Sequence, residues 1–192
     1  MLSLTAPPPH SMDWLKRESA EKRVFVLPAF ETAPLKDLVE AHTVAARAAA
    51  SDKAGLQALV KDGKLWQFAL KIFREGHNVT EYARWFNTSE AYGPLKVTRD
   101  YEPWFIADRR SLPFWDGVFR GYGWNKVTHV TNTHQSGFDF FVHPEGFLVH
   151  RQHGHSASSS LYQKSKTAYE ATLKKDQARA ARDTSLAATT HK

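Results

Sequence analysis

The chain has 192 residues, of which 42% are hydrophobic and 12% aromatic, which is enough apolar material for one folded domain with a core. It contains no cysteine, which excludes disulfide frameworks, thiolate metal sites and cysteine nucleophiles. The formal net charge is +6, but the basic residues are scattered apart from one cluster in the tail, so we expect no nucleic-acid partner.

The first third of the chain predicts a lead-in, a strand and helices. Residues 1–22 contain several prolines followed by charged residues, and they predict a loose lead-in. Residues 23–30 (RVFVLPAF) are β-branched and aromatic, which predicts a buried strand that ends at Pro28. Residues 34–62 are rich in Ala and Lys with spaced apolar positions, which predicts helices. Residues 65–73 are apolar without a clear period, so helix and strand both stay open.

The middle of the chain predicts a short helix and then a series of strands. Thr80 is a plausible N-cap for a helix over 80–85. Short apolar runs at 95–97, 104–106, 138–142 and 147–149 are separated by turn residues and predict strands. A helix over 126–133 leads to Gly137 as its stop. The whole predicts an α/β domain, with strands at Val24, Phe105, Phe140 and Leu148 in one mixed sheet.

Three segments carry the residue types that binding and catalysis need. The first, DYEPW (100–104), puts carboxylates beside aromatic residues at a strand entry. The second, PFWDGVFRGYGWNK (113–126), has an acid before a Gly-x-Gly turn with aromatic flanks, which lets a ligand approach the backbone. The third, FLVHRQHGH (147–155), runs a strand into spaced histidines, an arrangement that suits a metal ligand.

Each segment also has a purely structural interpretation. The Gly-x-Gly sequence is most often only a turn. On the structural interpretation, Asp116 only caps a helix or pairs with Arg120, and the three histidines only form an exposed loop. The combination of an acid, an aromatic turn and a histidine at a strand end favours a site over these separate explanations.

Six motifs in a fixed order make the chain resemble glycosyltransferase family 49. They are VLPAFE (26–31), GH-x-x-T-x-Y-x-RW (76–85), YEPWF (101–105), WD-x-x-FRGYGWNK (115–126), GFDFFVHPEGFLVH (137–150) and H-x-x-H-x-x-S (150–156). The resemblance runs from about Arg23 to about Tyr162. It divides the chain into a lead-in (1–22), the C-terminal part of a glycosyltransferase domain (23–162) and a basic tail (163–192) that is helical or disordered.

The resemblance implies a GT-A-type fold and inverting transfer of a sugar, glucuronic acid in the first instance, from a UDP-sugar to a glycan or glycoprotein acceptor. It also implies a divalent metal, Mn²⁺ in most cases, held by an Asp-x-Asp motif and a histidine that matches His150. Inversion needs a base for the acceptor hydroxyl, for which Asp116 is the first candidate and Glu102 the second. The expected substrate-binding residues are His77, Arg84, Trp85, Trp115, Gly121, Tyr122, Gly123, Trp124, Asn125 and Lys126.

One departure from the family pattern affects the expected activity. The sequence contains no Asp-x-Asp, so we expect an incomplete GT-A-like fold without its nucleotide-binding half. The resemblance places a full-length form in the Golgi lumen as a type II membrane protein, with the membrane anchor present only in that form. We expect this chain to be a fragment that does not transfer sugar alone. The alternative is a non-catalytic remnant of the family that binds carbohydrate or a partner.

Overall fold

The computed structural model describes residues 2–4, 12–35, 37–118, 124–154, 164 and 166. One compact unit includes the described residues as far as His153. The second unit comprises 119–123 and 154–192, of which Gly154, Lys164 and Lys166 are described. Within the described part of the chain, no helix is long and apolar enough to cross a membrane. Three of the predicted substrate-binding residues, Gly121, Tyr122 and Gly123, lie outside the described residues, and so does most of the basic tail.

The fold is a mixture of helices and sheets, as predicted. The strands are β1 (Leu2–Leu4), β2 (Arg23–Leu27), β3 (Ala29–Thr32), β4 (Leu65–Gln67), β5 (Trp104–Ile106), β6 (Asp139–Val142) and β7 (Leu148–His150). The α-helices are α1 (Met12–Ala20), α2 (Leu38–Ala49), α3 (Lys53–Lys61), α4 (Tyr82–Phe86) and α5 (Asn125–Gln135). Two 3₁₀ turns, Arg74–Gly76 and Asn78–Thr80, lie between β4 and α4.

The strands form two sheets rather than the single mixed sheet that we expected. The smaller sheet has the order β5-β2-β6, with β2 parallel to β6 and antiparallel to β5. The larger sheet has the order β1-β7-β3-β4, with β7 parallel to β3. The strand at Leu148 therefore belongs to a different sheet from the strands at Val24, Phe105 and Phe140, and the prediction of one sheet was wrong.

Pro28 marks the point where the chain passes from one sheet to the other. A proline has no N–H to donate to a strand neighbour, so the ladder of β2 stops there. Its carbonyl still accepts a hydrogen bond from N of Leu148 in the larger sheet, while the carbonyl of Val26 accepts one from N of His143. The sequence correctly predicted the end of β2 at Pro28, and β3 begins immediately afterwards.

Two aspartates begin the helices that were predicted over residues 34–62. The Asp37 carboxylate accepts a hydrogen bond of 2.8 Å from N of Val39 at the start of α2, and the Asp52 carboxylate accepts one from N of Gly55 in α3. Such N-caps satisfy backbone N–H groups that the first helical turn leaves without partners. The helix predicted over 126–133 is α5, and Gly137 follows its end with a φ of 85°, as a helix stop requires.

Three local predictions were wrong. The predicted lead-in contains α1, whose Trp14 ring packs 4.5 Å from the ring of Phe25. Residues 95–97 form no strand, although N of Leu95 donates to the carbonyl of Phe140 at the edge of β6. Glu81, with a φ of 53°, occupies the cap position of α4 that was predicted for Thr80.

The main core combines aromatic and aliphatic side chains, with Phe30 in contact with several other aromatic rings. Phe30 of β3 contacts the rings of Tyr82, Trp85 and Phe147 at centroid distances of 5.4 to 6.3 Å. These side chains are buried, and Val24 and Val26 of β2 are completely buried beside them. A smaller apolar cluster around Leu27, Ala29 and Leu148 contacts Phe68 and Trp104, two residues of the candidate site.

Candidate functional site

The candidate site is a cluster of charged and aromatic side chains that distant segments bring together. We call it the Glu102 cluster; its members are Phe68, His77, Glu102, Trp104 and Lys126. Glu102 immediately precedes Pro103 and β5, and its N donates a 3.0 Å hydrogen bond to the carbonyl of Gly76, which fixes it beside His77. Lys126 comes from the first turn of α5. The fold thus joins residues of three of the six family motifs, those at 76–85, 101–105 and 115–126.

Glu102 lies between two potential cations. Its Oε1 is 3.5 Å from Nε2 of His77 and 3.7 Å from Nζ of Lys126. Burial raises the pKa of the Glu102 carboxyl, but the contacts with His77 and Lys126 outweigh burial and hold the pKa below its ordinary value. Burial lowers the pKa of Lys126 against the opposing effect of Glu102. Glu102 is therefore ionised at neutral pH.

An aromatic wall adjoins these charges. Nζ of Lys126 lies 3.5 Å from the centroid of the Trp104 ring, which is a close cation–π contact. The imidazole of His77 is nearly parallel to the same indole at 6.0 Å, and Phe68 meets it edge-on at 4.9 Å. Phe68 also contacts the imidazole of His150 at 5.2 Å. Phe68 is therefore the residue that links the Glu102 cluster to the predicted metal ligand.

His150 ends β7 and lies opposite Glu31 in the parallel register with β3. It is half-buried, and burial, with a contribution from His153, lowers its pKa to about 4. Its imidazole is therefore neutral near pH 7, the form that binds a metal. Nε2 of His150 and Nε2 of His153 form a 3.2 Å hydrogen bond, in which the tautomers decide which ring donates. This separation lies in the range of about 2.9–3.4 Å expected for two nitrogens that bind one ion at about 2.0–2.1 Å each.

Two nitrogens are fewer ligands than a divalent ion needs. No group of three or more His, Cys, Asp or Glu side chains in the described part of the chain is placed to hold a metal. Manganese also prefers oxygen ligands to imidazole. The described residues thus fit one edge of a coordination sphere, and further oxygen ligands are required to complete it.

Asp116 and Trp115 make their described contacts with residues other than the members of the Glu102 cluster. The Asp116 side chain is exposed, and its Oδ1 accepts a 2.9 Å hydrogen bond from N of Val118 in its own turn. Within the described residues, no hydrogen bond or ion pair joins Asp116 to the cluster. The Trp115 ring stacks on the buried imidazole of His129 at 3.9 Å while more than half of its surface stays exposed. The structure thus brings the second candidate base, Glu102, into the cluster, and leaves the first candidate outside it.

Trp85 and Arg84 also occupy places other than the cluster. Trp85 is completely buried, and its Nε1 donates a 2.9 Å hydrogen bond to the carbonyl of His143. A side chain without exposed surface cannot contact a sugar, so its expected substrate role is corrected to a core role. Arg84 is exposed, pairs with Glu81 at 3.1 Å and borders a surface cleft of about 610 Å³.

The residues before Lys126 form the start of α5. Trp124 has a φ of 59°, a left-handed conformation that is uncommon for a bulky residue and often occurs at functional sites. Its side chain is half exposed. The Asn125 side chain accepts a hydrogen bond from N of Lys126, so it stabilises the first helical turn.

Sequence reasoning missed Phe68 and Trp104 as members of the site and did not assign His153 as a ligand. Trp104 stands within the YEPWF motif, and the H-x-x-H spacing already pointed to His153. Phe68 has no local signal, because its role depends on the placement of β4 beside β3.

Comparison with known proteins identifies a family of sugar transferases. The family model described as glycosyl-transferase for dystroglycan matches residues 7–184. The xylosyl- and glucuronyltransferase LARGE2 of Mus musculus is 33% identical over 159 residues, which is 82% of this chain and 21% of the mouse protein. The corresponding values for LARGE2 of Homo sapiens are 33%, 82% and 20%, and for LARGE1 of Homo sapiens 28%, 76% and 18%. The chain therefore spans about a fifth of the length of the curated relatives that it matches.

Proposed function

We propose that this chain, which belongs to glycosyltransferase family 49, takes part in the transfer of a sugar from a UDP-sugar donor to a glycan acceptor. The transfer proceeds with inversion at the anomeric carbon. The donor sugar proposed is glucuronic acid, in line with the family resemblance. The convergence of Glu102, Lys126 and Trp104 beside His150 is the observation that supports the proposal. We further propose that residues 23–162 are the C-terminal part of a GT-A fold.

The proposed base is Glu102, in place of Asp116. The acceptor hydroxyl oxygen attacks the anomeric carbon of the donor sugar, and the bond from that carbon to the phosphate oxygen breaks. The hydroxyl proton passes to the Glu102 carboxylate, and UDP leaves with the bonding electrons. The lowered pKa of Glu102 keeps the carboxylate ionised at neutral pH, the form that a general base requires, and it lowers the basicity of that carboxylate at the same time.

Lys126 and Trp104 are proposed to bind the sugar. An indole face suits the apolar C–H side of a sugar ring, and Trp104 is only half-buried. The Lys126 ammonium faces both the indole and the Glu102 carboxylate, so it is placed to attract an anionic group such as a uronic carboxylate. His77 lies behind Glu102, is almost completely buried and is proposed to orient it.

Metal dependence is a separate part of the proposal. His150 and His153 would supply two imidazole nitrogens to a divalent cation such as Mn²⁺, and oxygen ligands would have to complete the sphere. When bound, such an ion would neutralise charge on the diphosphate leaving group. The resemblance also favours the Golgi lumen as the compartment.

Sugar binding by the Glu102 cluster can be tested on the chain by NMR. We expect the indole N–H signal of Trp104 to shift on titration with UDP-glucuronic acid or with a dystroglycan-derived glycopeptide. The signal of Trp14, which packs against Phe25, should stay in place and serves as the internal control. A shift at Trp14 without one at Trp104 would contradict the proposed site. Binding by this chain together with no transfer by a form that also carries an Asp-x-Asp motif would favour the non-catalytic alternative.

A further inference from the structure

Gln152 makes an unusual set of hydrogen bonds two residues beyond the end of β7. Its side-chain Nε2 donates to the carbonyl of Leu35 at 2.9 Å, and its Oε1 accepts from N of the same Leu35 at 3.2 Å. One side-chain amide thus satisfies both backbone groups of one residue, as a neighbouring strand would do. Gln152 is part-buried, so these hydrogen bonds are partly shielded from water.

A second hydrogen bond fixes the backbone of Gln152. Nε2 of His42 in α2 lies 3.1 Å from the Gln152 carbonyl oxygen. A carbonyl oxygen only accepts, so Nε2 of His42 carries the hydrogen and donates it. Gln152 is therefore held through its side chain by the segment before α2 and through its main chain by α2 itself.

These hydrogen bonds continue the sheet where its regular ladder ends. The parallel pairing of β3 with β7 runs from Ala29 and Leu148 to Glu31 and His150. Past this point the Gln152 amide replaces main-chain pairing as the link between the two segments. The next residue is His153, whose ring centroid is 5.1 Å from that of His150. The regular pairing ends at His150, so the Gln152 link constrains the backbone that leads to His153.

We infer that Gln152, assisted by His42, is a positioning residue that holds the His153 imidazole against the His150 imidazole. It fixes the backbone that precedes His153 and so orients the ligand pair without contacting the ion or the sugar, as hydrogen bonds around the ligands of other metal sites do. Only the link to metal binding rests on the proposed function, because the placement of the two rings is a property of the folded chain.

The placement is tested on the metal-free chain. Gln152→Met keeps the length of the side chain and removes both side-chain hydrogen bonds, while His42→Leu removes only the bond to the carbonyl. We expect the nuclear Overhauser effect between the His150 and His153 rings to be lost or strongly weakened in both variants. The half-buried Gln57 of α3 offers the matched control, Gln57→Met, which should retain it. An unchanged nuclear Overhauser effect between the two rings in Gln152→Met would overturn the inference. If Gln152→Met does not fold, an unchanged effect in His42→Leu would overturn it instead.

A second measurement separates this inference from the proposed function. Co²⁺, which binds imidazole well, is titrated while paramagnetic broadening is followed at His150 and His153. Gln152→Met should weaken this binding by about tenfold, the low end of the usual effect of losing an interaction that orients a metal ligand. In a chain that already carries His153→Ala, Gln152→Met should not weaken Co²⁺ binding any further, because the imidazole that Gln152 positions is gone. A further weakening as large as the one in the wild-type background would overturn the inference. If the wild type shows no broadening and the ring contact still depends on Gln152, the proposed metal site fails and the inference is supported.

Discussion

Nε2 of His77 lies 3.5 Å from Oε1 of Glu102, and this contact joins a buried imidazole to the carboxylate proposed as the base. His77 is only 2% exposed, so it has little access to solvent or to a substrate. Its influence on the site therefore passes through Glu102.

Replacing His77 should raise the pKa of Glu102. Burial alone raises this pKa, and the contacts with His77 and Lys126 bring it below the ordinary value of 4.5. In His77→Phe one of the opposing contacts is gone, so the pKa should move upward when it is followed by carboxyl ¹³C NMR. His134→Phe, at the far end of α5, is the control and should leave it unchanged. A lower pKa in His77→Phe would contradict the described electrostatics.

The same depressed pKa predicts how stability depends on acid. A carboxyl whose folded-state pKa lies below 4.5 adds stability above that pH, and the contribution disappears as the pH falls through the folded-state pKa. The difference in unfolding free energy between wild type and Glu102→Gln should therefore shrink as the pH is lowered from 6 towards 3. Urea unfolding at several pH values measures it, and a difference that grows in acid would refute the prediction.

Buried tyrosines predict an alkaline limit to stability. Burial raises the pKa of Tyr82, Tyr92 and Tyr101 well above the ordinary value of 10.0. Because the folded state disfavours the phenolates, stability should fall as the pH rises above 10. Absorbance at 295 nm should show these three tyrosines ionising only as the chain unfolds, and Tyr101→Phe should remove part of that late phase. Ionisation of all three ahead of unfolding would be the contrary result.

Trp85 should be a stability residue rather than a sugar contact. Trp85→Phe removes the hydrogen bond to the His143 carbonyl and should cost about 1–3 kcal/mol of unfolding free energy, as expected for a buried group left without its partner. Sugar binding per folded molecule should be unchanged. The half-exposed Trp124 supplies the comparison, since Trp124→Phe should change stability little. Lost binding in folded Trp85→Phe would restore its predicted substrate role.

Much of the fold could be predicted because its signals are local. Pro28 ends β2, Asp37 and Asp52 cap α2 and α3, and Gly137 follows α5, each for a reason that lies in a few neighbouring residues. The assignment of β7 to a separate sheet could not be predicted, because strand pairing joins residues far apart in sequence.

The site was predictable only in part for the same reason. Glu102, Lys126 and His150 have residue types that carry chemistry, and the sequence motifs selected them as candidates, which they remain. Trp85 and Trp104 cannot be told apart by residue type, and their roles differ because one is completely buried and the other half-buried. Phe68 joins His150 to the Glu102 cluster through three-dimensional packing alone.

The most direct test of the account is Mn²⁺-dependent transfer of radiolabelled glucuronic acid from its UDP donor to a dystroglycan-derived glycopeptide. The assay uses this chain and a form extended at its N-terminus by a segment with the Asp-x-Asp motif that the family resemblance implies, because the 192 residues contain no Asp-x-Asp. We predict transfer by the extended form only, lowered at least about 100-fold by Glu102→Gln, the usual minimum for loss of a general base. Asp116→Asn and the exposed-site control Glu90→Gln should stay within about threefold of wild type, as expected of residues outside the proton transfer. Full activity in Glu102→Gln, or a large loss in Asp116→Asn alone, would contradict the assignment of the Glu102 cluster as the transfer site.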